Sequence, residues 1–96
     1  MFVLLITYTK PVSEVDAHIE GHRDWLQQHY ASGHFLMSGR KEPRTGGVIM
    51  ATAASRAEIE AIVALDPFTT GQVASYDIVE FAPTMTAESL SALKAG

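Results

Sequence analysis

Phe2 to Tyr8 is a continuous apolar run rich in branched residues, and it constrains the fold more than any other segment. Such a run marks a central strand covered on both sides. The apolar stretch from Met1 to Ile6 is far shorter than the ~20 residues of a membrane helix. It also lacks the charged leader and cleavage site of a secretory signal. The rest of the 96-residue chain must therefore fold over a buried strand.

Beyond this strand the chain alternates between two periodicities. Lys10-Pro11 breaks the strand, and Ser13 is expected to open a helix, with Asp16 three residues on imitating a capping box. Val15, Ile19, His22, Leu26 and Tyr30 then recur at spacings of three and four, one stripe of a helix. Ser32-Gly33 ends it, with Gly33 suited to a left-handed C′ position. Phe35 to Ser38 reads as a short strand, Gly39 to Gly47 as a polar connection, and Val48 to Ala53 as the antiparallel return. Ser55 and Glu58 form an S-x-x-E capping box before a second helix, whose apolar face is Ile59, Ile62, Val63 and Leu65. Asp66-Pro67 stops that helix, because the residue before proline is pushed out of the α region. Tyr76 to Phe81 is a closing strand, and the tail from Thr84 holds a short helix around Glu88 to Lys94.

This order, β-α-β-β-α-β, predicts a single α+β domain over residues 1–96 with a ferredoxin-like fold. Right-handed crossovers put both helices on one face of a four-stranded antiparallel sheet. The other face has no cover within the chain, so a homodimer of the dimeric α+β barrel type is expected.

Composition narrows the function classes. With 47% hydrophobic and 19% charged residues the chain is globular. A formal net charge of −4, a pI near 5.4 and the lack of any basic run argue against nucleic acid or an anionic membrane as a partner. Zero cysteines exclude disulfides, thiolate metal sites and a cysteine nucleophile, and fit a cytoplasmic location.

Two residues stand out chemically. His22 lies on the core-facing stripe of the first helix, either as a hydrogen-bonded core histidine or as a general acid or base tuned by burial and a carboxylate. Asp66 has a local explanation, since Asp-Pro is a favoured N-cap and N1 pair. It also follows a helix C-terminus, where the macrodipole disfavours negative charge by roughly 0.3–1 kcal/mol, so a compensating donor such as His22 is implied. His18 and His22, at i and i+4, with Asp66 would make a two-histidine, one-carboxylate metal set. The spacing is common by chance and lacks a zincin glutamate, so no metal is assigned. Ser38, Arg40 and Arg44 are candidates for holding a substrate carboxylate or enolate, against the usual role of loop charges as solvated surface. Trp25 and Tyr8 are candidate pocket walls, though such residues are more often core or dimer contacts.

Together these residues resemble the YciI-like family of small ferredoxin-fold proteins. The resemblance is an ordered set: H-R-D-W-L from His22; Gly33-His34-Phe35-Leu36-Met37-Ser38-Gly39; Pro43-Arg44-Thr45-Gly46-Gly47-Val48-Ile49; Asp66-Pro67-Phe68; and Phe81-Ala82-Pro83. It runs from the first strand to about Pro83. It implies a dimer related to the dimeric α+β barrel group, with His22 and Asp66 at the positions of a His–Asp pair in a pocket. A few relatives act on ring compounds, including dehalogenation of hydroxylated aromatics. The chain departs from the family pattern at His18, where many members have arginine, and at Gly39-Arg40, where many have Gly-Pro.

The expected function is that of a small enzyme without a cofactor, with His22–Asp66 acid–base chemistry of isomerase, lyase or dehalogenase type on a cyclic or enolisable small molecule. The alternative is a non-catalytic small-molecule-binding or accessory dimer, in which the pair is structural.

Overall fold

The computed structural model describes residues 1–95. Strand β1 (Phe2–Tyr8) lies between β3 (Gly46–Ala51) and β4 (Ala74–Glu80), and β2 (Phe35–Arg40) forms the edge beside β3. All neighbours are antiparallel, in the order β2-β3-β1-β4. This is the ferredoxin-like arrangement the alternating periods predict. Phe2, Leu4 and Ile6 point to one side of the sheet and are buried with Ile49 and Ala51 of β3. Helices α2 (Ile19–Ala31) and α3 (Arg56–Ala64) close that side with Trp25, Ile59, Ile62 and Val63. The Ser55 hydroxyl accepts from the Glu58 amide, as the capping box requires.

On the other side the register pairs Val3 with Met50 and Leu5 with Val48. These four side chains are only half-buried, and Met37 and Val79 beside them are exposed. Within one chain β1 is thus covered on a single face, and an apolar face of the sheet stands open.

The first helix departs from expectation. Two helices replace it: α1 (Val12–Asp16) and α2, separated by Ala17 and His18. The Ser13–Asp16 box does not form, because the chain turns into the helix directly after Pro11, which has no side-chain capping bond. Ser13 is then inside the helix, where its hydroxyl cannot cap. His18, at φ −110°, starts α2 afresh, and its carbonyl accepts from the His22 amide. Ser32-Gly33 ends α2 as expected, with Gly33 at φ +86°. Tyr30, expected on the apolar stripe, is exposed, and Trp25 is buried in its place.

The central hairpin is longer than its side chains suggest. Arg40 pairs with Gly47 and Gly39 with Val48, so pairing continues through residues whose composition reads as loop. Ladder hydrogen bonds belong to the backbone and need no side chain. Gly46 is required at this end of β3, since a Cβ there would lie 1.8 Å from the carbonyl oxygen of Ile6. β3 ends at Ala51, two residues before the expected boundary, and β4 begins at Ala74, two residues early. The tail forms a 3₁₀ helix over Glu88–Leu93.

Candidate functional site

Asp66 holds two local jobs at once. It is the N-cap of the short helix α4 (Pro67–Thr70), its Oδ1 accepting from the Phe68 amide at 3.0 Å. The same oxygen accepts from Nδ1 of His22 at 2.8 Å, and Oδ2 accepts from the Tyr76 hydroxyl. The carboxylate has no solvent exposure. Three donors therefore converge on one buried anion, which satisfies it in the way burial of a charge demands. Burial, then the Asp66 charge, then their hydrogen bond push the Tyr76 phenol far above its ordinary range, so it stays a donor.

His22 is 8% exposed and stacks on Phe68, with ring centroids 3.8 Å apart and planes 3° from parallel. The Asp66-Pro67-Phe68 segment thus supplies both the partner of Nδ1 and the surface on which the imidazole lies. With Nδ1 donating to a carboxylate, the neutral ring carries its lone pair on Nε2. Nε2 has no hydrogen-bond partner among the described residues. His22 borders a cavity of about 700 Å³, within the range of small-molecule sites.

Helix α2 must come very close to α4 for this bond to form. A Cβ on Gly21 would meet Pro67 Cγ at 3.0 Å, and one on Gly71 would meet the His18 imidazole at 2.7 Å. These glycines and Tyr76 are the parts that sequence reasoning missed. Gly21 carries a signal, because glycine inside a helical pattern is unfavourable by ~1 kcal/mol and calls for a packing reason.

The structure brings most of the other candidates to the same cavity. Ser38, Arg40 and Arg44 line it with Tyr8, and Arg23 and Asp16 join them. Ser38 is not free: its hydroxyl meets that of Tyr30. Arg44 donates through Nη2 to Asp16 at 2.6 Å and through Nε to the Tyr8 hydroxyl at 3.3 Å. Trp25 faces the core instead, its indole N–H donating to the Ile62 carbonyl. Ile19 and Leu26 of the helical stripe remain half-buried because they face the cavity. His29 lies away from it, against Trp25, Phe35 and His34, and burial pulls its pKa down. Among the described residues no three histidine, aspartate or glutamate side chains gather closely enough to hold a metal ion. No helix among them is long and apolar enough to cross a membrane.

No curated protein matches the chain by sequence. Among solved structures, a match is 5-chloro-2-hydroxyhydroquinone dehydrochlorinase (TftG) from Burkholderia phenoliruptrix AC1100, solved in complex with 2,5-dihydroxybenzoquinone. The TM-score is 0.65 at 20% identity, covering 84% of this chain and 93% of that one, which establishes a shared fold. The model of the YCII-related domain matches residues 1–82, from β1 through the end of β4. This small antiparallel sheet with its helices on one face therefore belongs to the YCII-related family.

Proposed function

We propose that this protein is a small enzyme that moves a proton on a hydroxylated ring or cyclic enol, with His22 as the base and no organic cofactor. The observation that carries the reading is the division of labour on one imidazole: Nδ1 is engaged by Asp66, Nε2 has no partner among the described residues, and the residue lines the cavity. Nε2 would take a proton from a ring hydroxyl or an acidic C–H, leaving an enolate or phenolate and an imidazolium that Asp66 stabilises. Return of the proton to another carbon completes an isomerisation. Where the carbon that receives the proton carries a halogen, loss of a second hydroxyl proton and of the halide from that carbon instead completes an elimination, with net loss of HX. Arg40 and Arg44 would face the developing oxyanion. The TftG fold neighbour, a dehydrochlorinase of a hydroxylated ring, makes chlorinated hydroxyquinols the first substrates to try.

The test is a panel of chlorinated and unchlorinated hydroxyquinols and cyclic enols in deuterated buffer, read by deuterium uptake and halide release. Turnover of at least one member above the buffer rate is expected. A panel that stays inert across neutral pH contradicts the reading.

The same reading includes a homodimer joined through the open sheet face, because Val3, Leu5, Val48 and Met50 form an apolar surface that a second copy would cover. Sedimentation should give a dimer for the wild type and a folded monomer for Leu5→Glu. Equal masses for the two would contradict this assembly.

A further inference from the structure

Asp16 and Arg44 meet at the cavity that His22 borders. Asp16 closes α1, and Arg44 stands in the connection between β2 and β3, so their 2.6 Å ion pair ties two walls together. The two partners are not held alike. Arg44 is anchored a second time by Tyr8, through the Nε bond and with its guanidinium 5.6 Å from the ring centroid. The Asp16 side chain is 49% exposed and bonds to no other side chain among the described residues. Arg23 and Arg40 border the same cavity, and neither is within ion-pair distance of a carboxylate among the described residues. Three guanidinium groups and one half-exposed carboxylate therefore line the same cavity, in a chain whose formal net charge is −4.

We propose that the Asp16 carboxylate occupies the subsite of an anionic group on the substrate, and that a ring compound bearing a carboxylate or enolate displaces it from Arg44. Asp16 is then a specificity residue: a ligand enters the Arg44 subsite only by offering an anion at least as good as the resident one. The guanidinium suits such an exchange, because Nη2 donates to a single Asp16 oxygen while Tyr8 holds Nε, so one carboxylate oxygen can take the place of another. Arg44 in turn holds the Asp16 carboxyl below the usual carboxylate range, so the competitor stays charged at neutral pH. The proposal rests on reading the cavity as a ring-substrate site, and it is tested by binding rather than turnover.

Calorimetric titration with 2-hydroxybenzoate, and with neutral 2-hydroxybenzamide as the control, decides it. Asp16→Asn should bind the benzoate roughly two- to fivefold more tightly than the wild type, the gain expected from removing a solvent-exposed ion pair. It should leave the benzamide unchanged. Arg44→Gln should weaken benzoate binding about tenfold, as loss of a charged hydrogen-bonding partner does. Circular dichroism confirms that both variants are folded, as changes at a rim permit. Weaker or unchanged benzoate binding by Asp16→Asn overturns the proposal, because Asp16 would then position Arg44 rather than compete for it. Wild-type affinity in Arg44→Gln, or no benzoate binding by any of the proteins, overturns it as well. An inactive substrate panel would count against catalysis by His22 alone.

Discussion

His22→Asn is expected to slow turnover of a responsive ring substrate by roughly 10²–10⁴-fold, the usual contribution of a positioned general base. Asparagine is the informative replacement because its amide nitrogen, like Nδ1, is two bonds from Cβ and can still donate to Asp66, so the buried carboxylate keeps a partner where Nδ1 stood. It has no group that accepts a proton at neutral pH, so the chemistry fails while the anchor is retained. Because the imidazole borders the cavity rather than filling the core, KM should change much less than kcat. Loss of the stack on Phe68 should destabilise the fold by only about 0.5–1.5 kcal/mol. Steady-state kinetics on whichever panel member responds, beside a thermal melt, separate the two effects. A turnover loss below about threefold would assign His22 a structural role, since general-base catalysis contributes far more.

Asp66→Ala carries the largest expected change in stability. If Asp66 were only the cap of α4, its loss would lower stability by about 1 kcal/mol. The carboxylate instead serves the His22 imidazole, the Phe68 amide and the Tyr76 hydroxyl, all in a buried or half-buried setting. Each donor left without an acceptor costs about 1–3 kcal/mol. Partial relaxation and water entry reduce the sum, giving an expected loss of about 3–5 kcal/mol. At 4–8 °C per kcal/mol for a domain of this size, Tm should fall by roughly 12–40 °C. A fall of only about 5 °C is what a lone N-cap predicts, and it would contradict the three-donor arrangement.

The fold is legible in the sequence because its signals are periodic. The apolar run Phe2–Tyr8, the S-x-x-E box at Ser55 and the stop at Asp66-Pro67 each report local physics, and their order leaves few topologies. Boundaries are less legible where the backbone acts without side chains. Gly39-Arg40 and Gly46-Gly47 look like loop by composition but continue the β2–β3 ladder. The break at Ala17–His18 is hidden because Val15, Ile19 and His22 keep helical spacing across it.

At the site, His22 and Asp66 are visible from position: an imidazole on an apolar stripe and a carboxylate where a helix ends. The structure adds that the two explanations of Asp66 hold together, since one oxygen caps α4 and also meets His22. Tyr76 reads as a strand residue and not as part of the site, because its approach to Asp66 depends on how β4 lies under α4. Asp16 reads as a capping residue. Its bond to Arg44 spans 28 positions and leaves no periodic trace.

In the proposed mechanism Asp66 fixes the His22 tautomer and leaves Nε2 as the proton acceptor. Long-range ¹H–¹⁵N correlation NMR of ¹⁵N-histidine-labelled protein reads the tautomer directly. The expected spectrum of the neutral His22 ring places the proton on Nδ1 and the lone pair on Nε2. The Nε2 signal should move more than the Nδ1 signal when a hydroxylated ring ligand is added. A neutral ring protonated at Nε2, or an Nε2 signal indifferent to every such ligand, would contradict this role for His22.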